Sequence, residues 1–372
     1  MAETRTSEYK PSSVSPPGET LAELLEEKGL TQAELARRLE RPLKTINEIV
    51  KGKATITPDT ALQLERALGA PADFWLARES AYREWLARVR ASEDLGRWLG
   101  WLREVPVNEL RSLGWIGTST NKLESVSQCL QFFGVATVEA WRDTYERPLA
   151  AFRASTKVKR HSGAVAAWLR RGEIEALAVE CARYDARSLE SLLDRIRALT
   201  LETDPTRFVP VLTDLCRTVG VSVVFVPAPR GCPASGAARW LTPDKALIQL
   251  SLRYRTHDQL WFTFFHELGH ILRHGKSLVF IDQDRPGPED HLEQEANAFA
   301  RDLLIPQKLA VRLSSLDKSH ASVVKFAAAA GVAPGIVVGR MQHERLLPWT
   351  HLNDLKTRYS WTQADSTSRT MR

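Results

Sequence analysis

Apolar positions recur at helical spacing along most of the chain, and two short runs in its second half break that rhythm. Over residues 20–28, Leu21, Leu24 and Leu25 share one face, and Gly29 ends the pattern. Thr31 followed by Glu34 has the form of a capping box for a second helix reaching Leu39. Pro42 opens a third helix that stops at Gly52, and Thr57-Pro58-Asp59 opens a fourth that stops at Gly69. Leu35, Leu39, Ile46 and Ile49 supply apolar contacts between the second and third helices, and Ala36 is small where two helices must approach closely. The helical rhythm persists through residues 91–205, with amphipathic stretches at 164–171 and 189–199. Then Val221-Ser222-Val223-Val224-Phe225-Val226 and residues 246–252 read as strands, joined by a Gly/Pro/Ser-rich loop at 227–236. Two more helices follow. The first has Thr256 as N-cap, Gln259 as the matching box residue and Gly275 as its stop. The second spans 288–304, closed by Pro306, after a linker at 283–288. The expected fold class is mainly α with a small β-sheet (α+β).

Length and composition narrow the picture. A chain of 372 residues accommodates two or three domains. The pattern divides it into a flexible arm (1–17), a helical N-terminal domain (18–90), a helical middle region (91–205), a mixed domain (206–310), a helical appendage (311–360) and a disordered tail (361–372). With 43% apolar and 26% charged residues, the chain has the composition of a soluble globular protein. Cys129, Cys181, Cys216 and Cys232 are widely spaced and form no C-x-x-C pair, which argues against a disulfide framework or a cysteine-held metal and fits a reducing compartment. The polar N-terminus has no apolar core of a signal peptide and no run approaches a membrane span, so we expect a cytoplasmic protein without a membrane partner. A net charge of +6 suits a polyanionic partner without identifying one.

The N-terminal helices resemble the Cro/repressor-type (XRE) helix-turn-helix, and in particular its HigA-like antitoxin branch. The resemblance rests on Pro17-Gly18-Glu19, Leu30-Thr31-Gln32-Ala33-Glu34-Leu35-Ala36, Ile46-Asn47-Glu48-Ile49 and Lys51-Gly52-Lys53. It implies a five-helix lambda-repressor-like domain whose third helix enters the major groove, binding a double-stranded operator as a homodimer. The outward positions of that helix are Leu43, Lys44, Thr45, Asn47 and Glu48. Lys44 suits guanine, Asn47 adenine, Glu48 the cytosine amino group and Leu43 a thymine methyl. Gln32, Lys51 and Lys53 are placed for phosphates.

His266-Glu267-Leu268-Gly269-His270 lies inside the strongest helical signal in the chain. Histidines four apart project from one face, so two imidazoles can reach one Zn²⁺, and Glu267 beside them can take a proton from an attacking water and pass it to a leaving amine. The third ligand should come from the next helix. Its apolar stripe is Leu292, Ala296, Phe299 and Leu303; Glu295 borders that stripe and is the expected ligand, with Glu293 and His291 as further candidates. His274, at the helix end, reads as a surface residue.

This helix, followed by Glu295-Ala296-Asn297-Ala298-Phe299-Ala300 and Leu303-Leu304-Ile305-Pro306, resembles the ImmA/IrrE metallopeptidases over residues 211–310, as does Ser235-Gly236-Ala237 with the strand after it. That resemblance implies a zincin-like domain and a protein substrate such as a helix-turn-helix repressor; with the residue reading above, one zinc ion per chain is expected on His266, His270 and Glu295. The strand segment 248–251 is expected to hold that substrate extended, as an edge strand does. The whole chain then reads as a DNA-binding transcriptional regulator that is also a zinc endopeptidase, acting on a repressor or antitoxin in stress or mobile-element control. The alternative is a HigA-like antitoxin and autorepressor with a toxin partner, whose metal domain is regulatory.

Overall fold

A helix that opens on proline begins one residue inside the expected arm. The computed structural model describes residues 13–147, 162–275, 280–281, 291–365 and 368–371, so the arm at 1–12 and the linker at 283–288 lie outside the described residues. The chain divides into two compact units, residues 1–97 and 98–372.

The first unit has five helices: α1 (Pro17–Glu27), α2 (Gln32–Arg38), α3 (Leu43–Val50), α4 (Pro58–Leu68) and α5 (Ala72–Arg97). Pro17 is buried, which corrects its assignment to a flexible arm, and Gly18 is buried beside it: a Cβ on Gly18 would run into the carbonyls of Ile49 and Val50, so glycine lets α1 touch the end of α3. The caps are local and form as expected. Thr31 Oγ1 accepts from the Glu34 amide at 3.1 Å and Thr57 Oγ1 from the Thr60 amide at 3.3 Å, while Gly69 ends α4 with φ +85°. The Glu34 carboxylate turns to Arg38 at 2.9 Å. Leu21, Leu35, Ile46, Ile49, Ala61, Leu64 and Trp75 close a separate core.

The second unit corrects the expected divisions at 205 and 310, because neither separates a compact body. It opens with a 3-10 turn (Trp98–Arg103), α6 (Val107–Ser112), α7 (Lys122–Phe133) and α8 (Val138–Trp141); Trp141 meets Trp101 and Phe133 edge-on at 5.4 and 5.7 Å. The next helix, α9 (Ser162–Leu177), is apolar and buried all round over residues 163–169 and so is covered there on every side. It lies on the sheet: Trp168 Nε1 donates to the Val226 carbonyl at 3.0 Å, and Gln249 Nε2 donates to the Trp168 carbonyl at 2.6 Å. Helices α10 (Ala186–Ala198) and α11 (Pro205–Arg217) lie on the other face, where Leu189, Ile196, Phe208 and Leu212 join Val223, Ile248 and Trp261 in one core.

The sheet comprises β1 (Val221–Phe225), β2 (Gly236–Thr242), β3 (Lys245–Leu250) and the two-residue β4 (Phe280–Ile281), in the order β1-β3-β2-β4. β3 runs parallel to β1 (Val223↔Ile248) and antiparallel to β2 (Ala238↔Ile248). The segment 248–251 therefore lies in an inner strand with both sides paired, and it cannot add a substrate by main-chain hydrogen bonds. That expectation is corrected.

On the sheet lies α12 (His257–Arg273), followed by α13 (His291–Leu304), α14 (Gln307–Ala310), α15 (His320–Ala330) and α16 (Pro334–His343). The Thr256 side chain makes no cap hydrogen bond; its backbone instead bridges to Arg358. Lys356 Nζ pairs with Asp258 Oδ2 at 2.7 Å, both side chains buried, so residues expected as an appendage form part of the core around α12. The tail is also corrected: β5 (Trp361–Asp365) and β6 (Ser368–Met371) form an antiparallel hairpin, with Trp361 opposite Met371 and both packed on that core. Among the described residues no single helix is long and apolar enough to cross a membrane; α15 and α16 pass that test only as a pair, and they are bent by 106°.

Candidate metal centre and nucleic-acid interface

Two close approaches create the site. Gly269 on α12 faces α13, where a Cβ would stand 3.1 Å from Phe299 Cδ1 and 3.3 Å from Ala296 Cα. With Ala296 and Ala300 also on the contact, the two helices pack nearly backbone to backbone. Glu293 lies on that same face of α13, three and seven residues before those alanines. Glu295 falls on the opposite face.

The structure accordingly brings Glu293, not Glu295, to the histidines. His266 Nε2 and His270 Nε2 are 3.0 Å apart, with Glu293 Oε2 3.2 Å from the first and Oε1 3.4 Å from the second. One donor atom from each of the three residues lies within 4.8 Å of the others. Four ligands at about 2.0–2.1 Å from a zinc ion define a tetrahedron with edges of about 3.3–3.4 Å, so this spacing fits the ion. Glu295 is 58% exposed in its side chain and bonds His274 at 3.2 Å; His291 is exposed at the helix start. Within the expected stripe Ala296 is buried but Leu292, Phe299 and Leu303 only partly so, while Ala300 and Leu304 are buried beside it, so the inward face of α13 is turned toward Glu293.

Charge at the site matches a cation. Burial lowers the His270 pKa to about 4 and so keeps the imidazole neutral. Burial also pushes Glu293 up, but hydrogen bonds with His266 and His270 outweigh it and bring the carboxyl down to about 2. A neutral imidazole and an ionised carboxylate are the forms that bind metal. His266 Nδ1 bonds Asn297 Oδ1 at 3.1 Å, which turns its Nε2 toward Glu293. Asn297 lies four residues after Glu293, which puts both on one face of α13. His274, expected at the surface, has a buried side chain that bonds His270 Nδ1 at 2.8 Å.

Glu267 is fully buried between the histidines on α12. Its carboxylate points at the start of β2, where a Cβ on Gly236 would stand 2.6 Å from Glu267 Oε1 and 2.5 Å from Thr263 Cγ2. Glycine at 236 leaves the space that this carboxylate occupies.

In the first unit, Leu35, Leu39, Ile46 and Ile49 are buried where α2 meets α3, and Ala36 is buried with them. The opposite side of α3 is open: Leu43 and Lys44 are exposed, and Thr45, Asn47 and Glu48 are half-exposed. Lys44 and Glu48 stand 3.9 Å apart across that surface. Lys51 and Lys53 are exposed just after the helix, and Gln32 is half-exposed at the start of α2.

Comparison with known proteins agrees with this division. Residues 21–75 match the helix-turn-helix family, and residues 232–341 match the IrrE N-terminal-like domain, a peptidase family. The chain is 31% identical over 81 residues to an uncharacterised helix-turn-helix-type transcriptional regulator of Escherichia coli, YddM, covering 22% of this chain and 84% of that protein. It is 45% identical over 67 residues to virulence-associated protein I of Dichelobacter nodosus, covering 18% of this chain and 62% of that one. Among solved structures, a HigA-family addiction module antidote protein of Coxiella burnetii is 31% identical, covering 22% of this chain and 91% of its own, with a TM-score of 0.21. The chain belongs to the helix-turn-helix transcriptional regulators and carries an IrrE-like peptidase-family domain in its second half.

Proposed function

We propose that this protein is an operator-binding regulator whose second unit is a zinc-dependent endopeptidase, acting in the cytoplasm on a repressor or antitoxin protein. The observation that carries the reading is the convergence of the His266 and His270 Nε2 atoms on the Glu293 carboxylate, with Glu267 one residue away. His266, His270 and Glu293 would hold a zinc ion, which would supply a Lewis acid for a peptide carbonyl and for water. Glu267 takes the proton from the attacking water onto its carboxylate and delivers it to the leaving amine nitrogen. Asn297 holds the His266 ring in the orientation that this needs. In the first unit, α3 lies in the major groove of an operator read by Leu43, Lys44, Thr45, Asn47 and Glu48. Gln32 and Lys51 hold phosphates, and the unit acts as a homodimer on a palindrome.

The test uses full-length protein with Zn²⁺ and the repressor-type proteins encoded beside it, with new peptide termini read by mass spectrometry. Wild type should generate them, Glu267→Gln should not while keeping its metal, and Glu293→Ala should lose the metal. Cleavage persisting in Glu267→Gln would sink the mechanism. Operator binding without any cleavage would leave the antitoxin-like reading instead.

A further inference from the structure

Strand β4 is two residues long and lies beside the candidate catalytic centre. Its main chain pairs antiparallel with β2, Ile281 opposite Ala237 and Phe280 opposite Ala238. Ala237 follows Gly236, the residue whose missing Cβ leaves room for the Glu267 carboxylate. We propose that β4 occupies the edge of β2 on which an extended protein substrate pairs, so that the chain holds its own peptidase site closed until residues 280–281 leave. The inference rests on the peptidase reading above and adds its regulation.

The topology carries it. In the order β1-β3-β2-β4, removal of β4 makes β2 an edge strand, with the main-chain groups on that side open to any extended chain. The inner side of β2 is already paired with β3, from Gly236 opposite Leu250 to Thr242 opposite Lys245, so only the outer side can take a substrate. The opposite edge of the sheet, β1, lies two strands away from β2. Gly236-Ala237-Ala238 also lacks the proline or lysine that commonly keeps a second chain off an edge. A substrate laid antiparallel there needs the main-chain groups that β4 uses, and one edge accepts one strand at a time.

The pairing is short enough to open. β1 and β3 pair over five residue pairs and β2 and β3 over six, whereas β4 offers two. Successive residues of a strand turn their N–H groups to opposite sides, so only one of the two faces β2. Segments held by so few ladder bonds open locally without unfolding the rest. Such a competitor lowers the fraction of chains ready to bind and weakens apparent substrate affinity by that fraction, while a substrate once bound reacts at its usual rate. The closed strand therefore acts on KM and leaves kcat alone.

The experiment uses the full-length protein loaded with Zn²⁺ and fluorescein-labelled casein, an unfolded chain that can lie extended, with amide hydrogen exchange over residues 236–240 read in parallel. Phe280→Pro with Ile281→Pro removes whichever N–H faces β2. This variant should exchange faster at 236–240, lower KM on the order of 10-fold and keep kcat. Ala237→Cys with Ile281→Cys sets two thiols directly opposite one another. Position 237 faces the other side of the sheet from Gly236, so this cross-link spares the space around Glu267. The oxidised form should be inactive, and reduction should return cleavage; if the proline variant does not fold, this pair decides alone. Faster exchange with an unchanged KM, or cleavage by the cross-linked form, would overturn the closed strand while leaving the peptidase standing. Zinc-loaded protein that cleaves in no form, the proline variant included, would overturn the peptidase reading and its regulation together.

Discussion

Gly236 shows how a single missing atom shapes the candidate catalytic centre. Because a Cβ there would meet the Glu267 carboxylate at 2.6 Å, inside a pocket where Glu267 is fully buried, Gly236→Ala should displace the proposed base and leave the zinc ligands in place. We expect cleavage to fall on the order of 100-fold with unchanged zinc content, read by a peptidase assay beside metal quantification. Normal cleavage in that variant would show that Glu267 is positioned by something else. His257 makes a different prediction. Burial depresses its pKa from 6.5 to about 4, against the opposing charge of Asp258, and Trp261 Nε1 donates to its Nε2 at 3.0 Å. The folded chain keeps it neutral, whereas the unfolded chain takes up a proton below its ordinary pKa. Its contribution to stability is therefore complete above pH 6.5, declines as the pH falls toward 4 and is gone below that, by at most about 3 kcal/mol. Urea unfolding at pH 7.5 and 4.5 should show a smaller loss for His257→Gln than for wild type; equal losses would refute the assignment.

At the scale of the element, what could be read from the chain was what depends on neighbours within a turn or two. Thr31 and Thr57 cap because a hydroxyl reaches an amide three residues on, and each should contribute about 1 kcal/mol that Thr→Ala removes, measured by thermal unfolding. His266 and His270 share a face for the same local reason. Glu293 was not chosen, because which face of α13 turns inward is set by Gly269, Ala296 and Ala300, where the absence of side chains brings two backbones together. Hydrophobicity points to the larger Leu292, Phe299 and Leu303, which are only partly buried. Gly269→Val should force α13 outward and weaken zinc binding by more than about 10-fold, since a shift of a few tenths of an ångström already spoils the ligand distances. Retained affinity in a folded Gly269→Val would mean that the helices have slack. On α3, Asn47→Ala should relax base preference at one operator position by about 1–3 kcal/mol, whereas Lys51→Ala should weaken binding to all sequences alike, both read by fluorescence anisotropy at fixed salt.

For the molecule as a whole, each unit has a core of its own, the first around Leu35, Ile46 and Trp75 and the second around α12. Residues 13–97 expressed alone should therefore fold and unfold cooperatively at a temperature that chelators leave unchanged. Zinc at 100 times its dissociation constant should add about 2.7 kcal/mol to the second unit. A fragment without a cooperative transition would mean that the first unit depends on the rest of the chain. The order of its helices, their caps, the helix-turn-helix surface and the pair of histidines with Glu267 were determined by the sequence alone, because each is written in residues within one or two turns of one another. The union of the middle region with the peptidase-like sheet, the inner place of β3, the hairpin at 361–371 and the choice of Glu293 over Glu295 were decided only in three dimensions. Each of these depends on which surfaces distant segments bury against one another, and the burial of small residues leaves no mark in the periodicity of large ones.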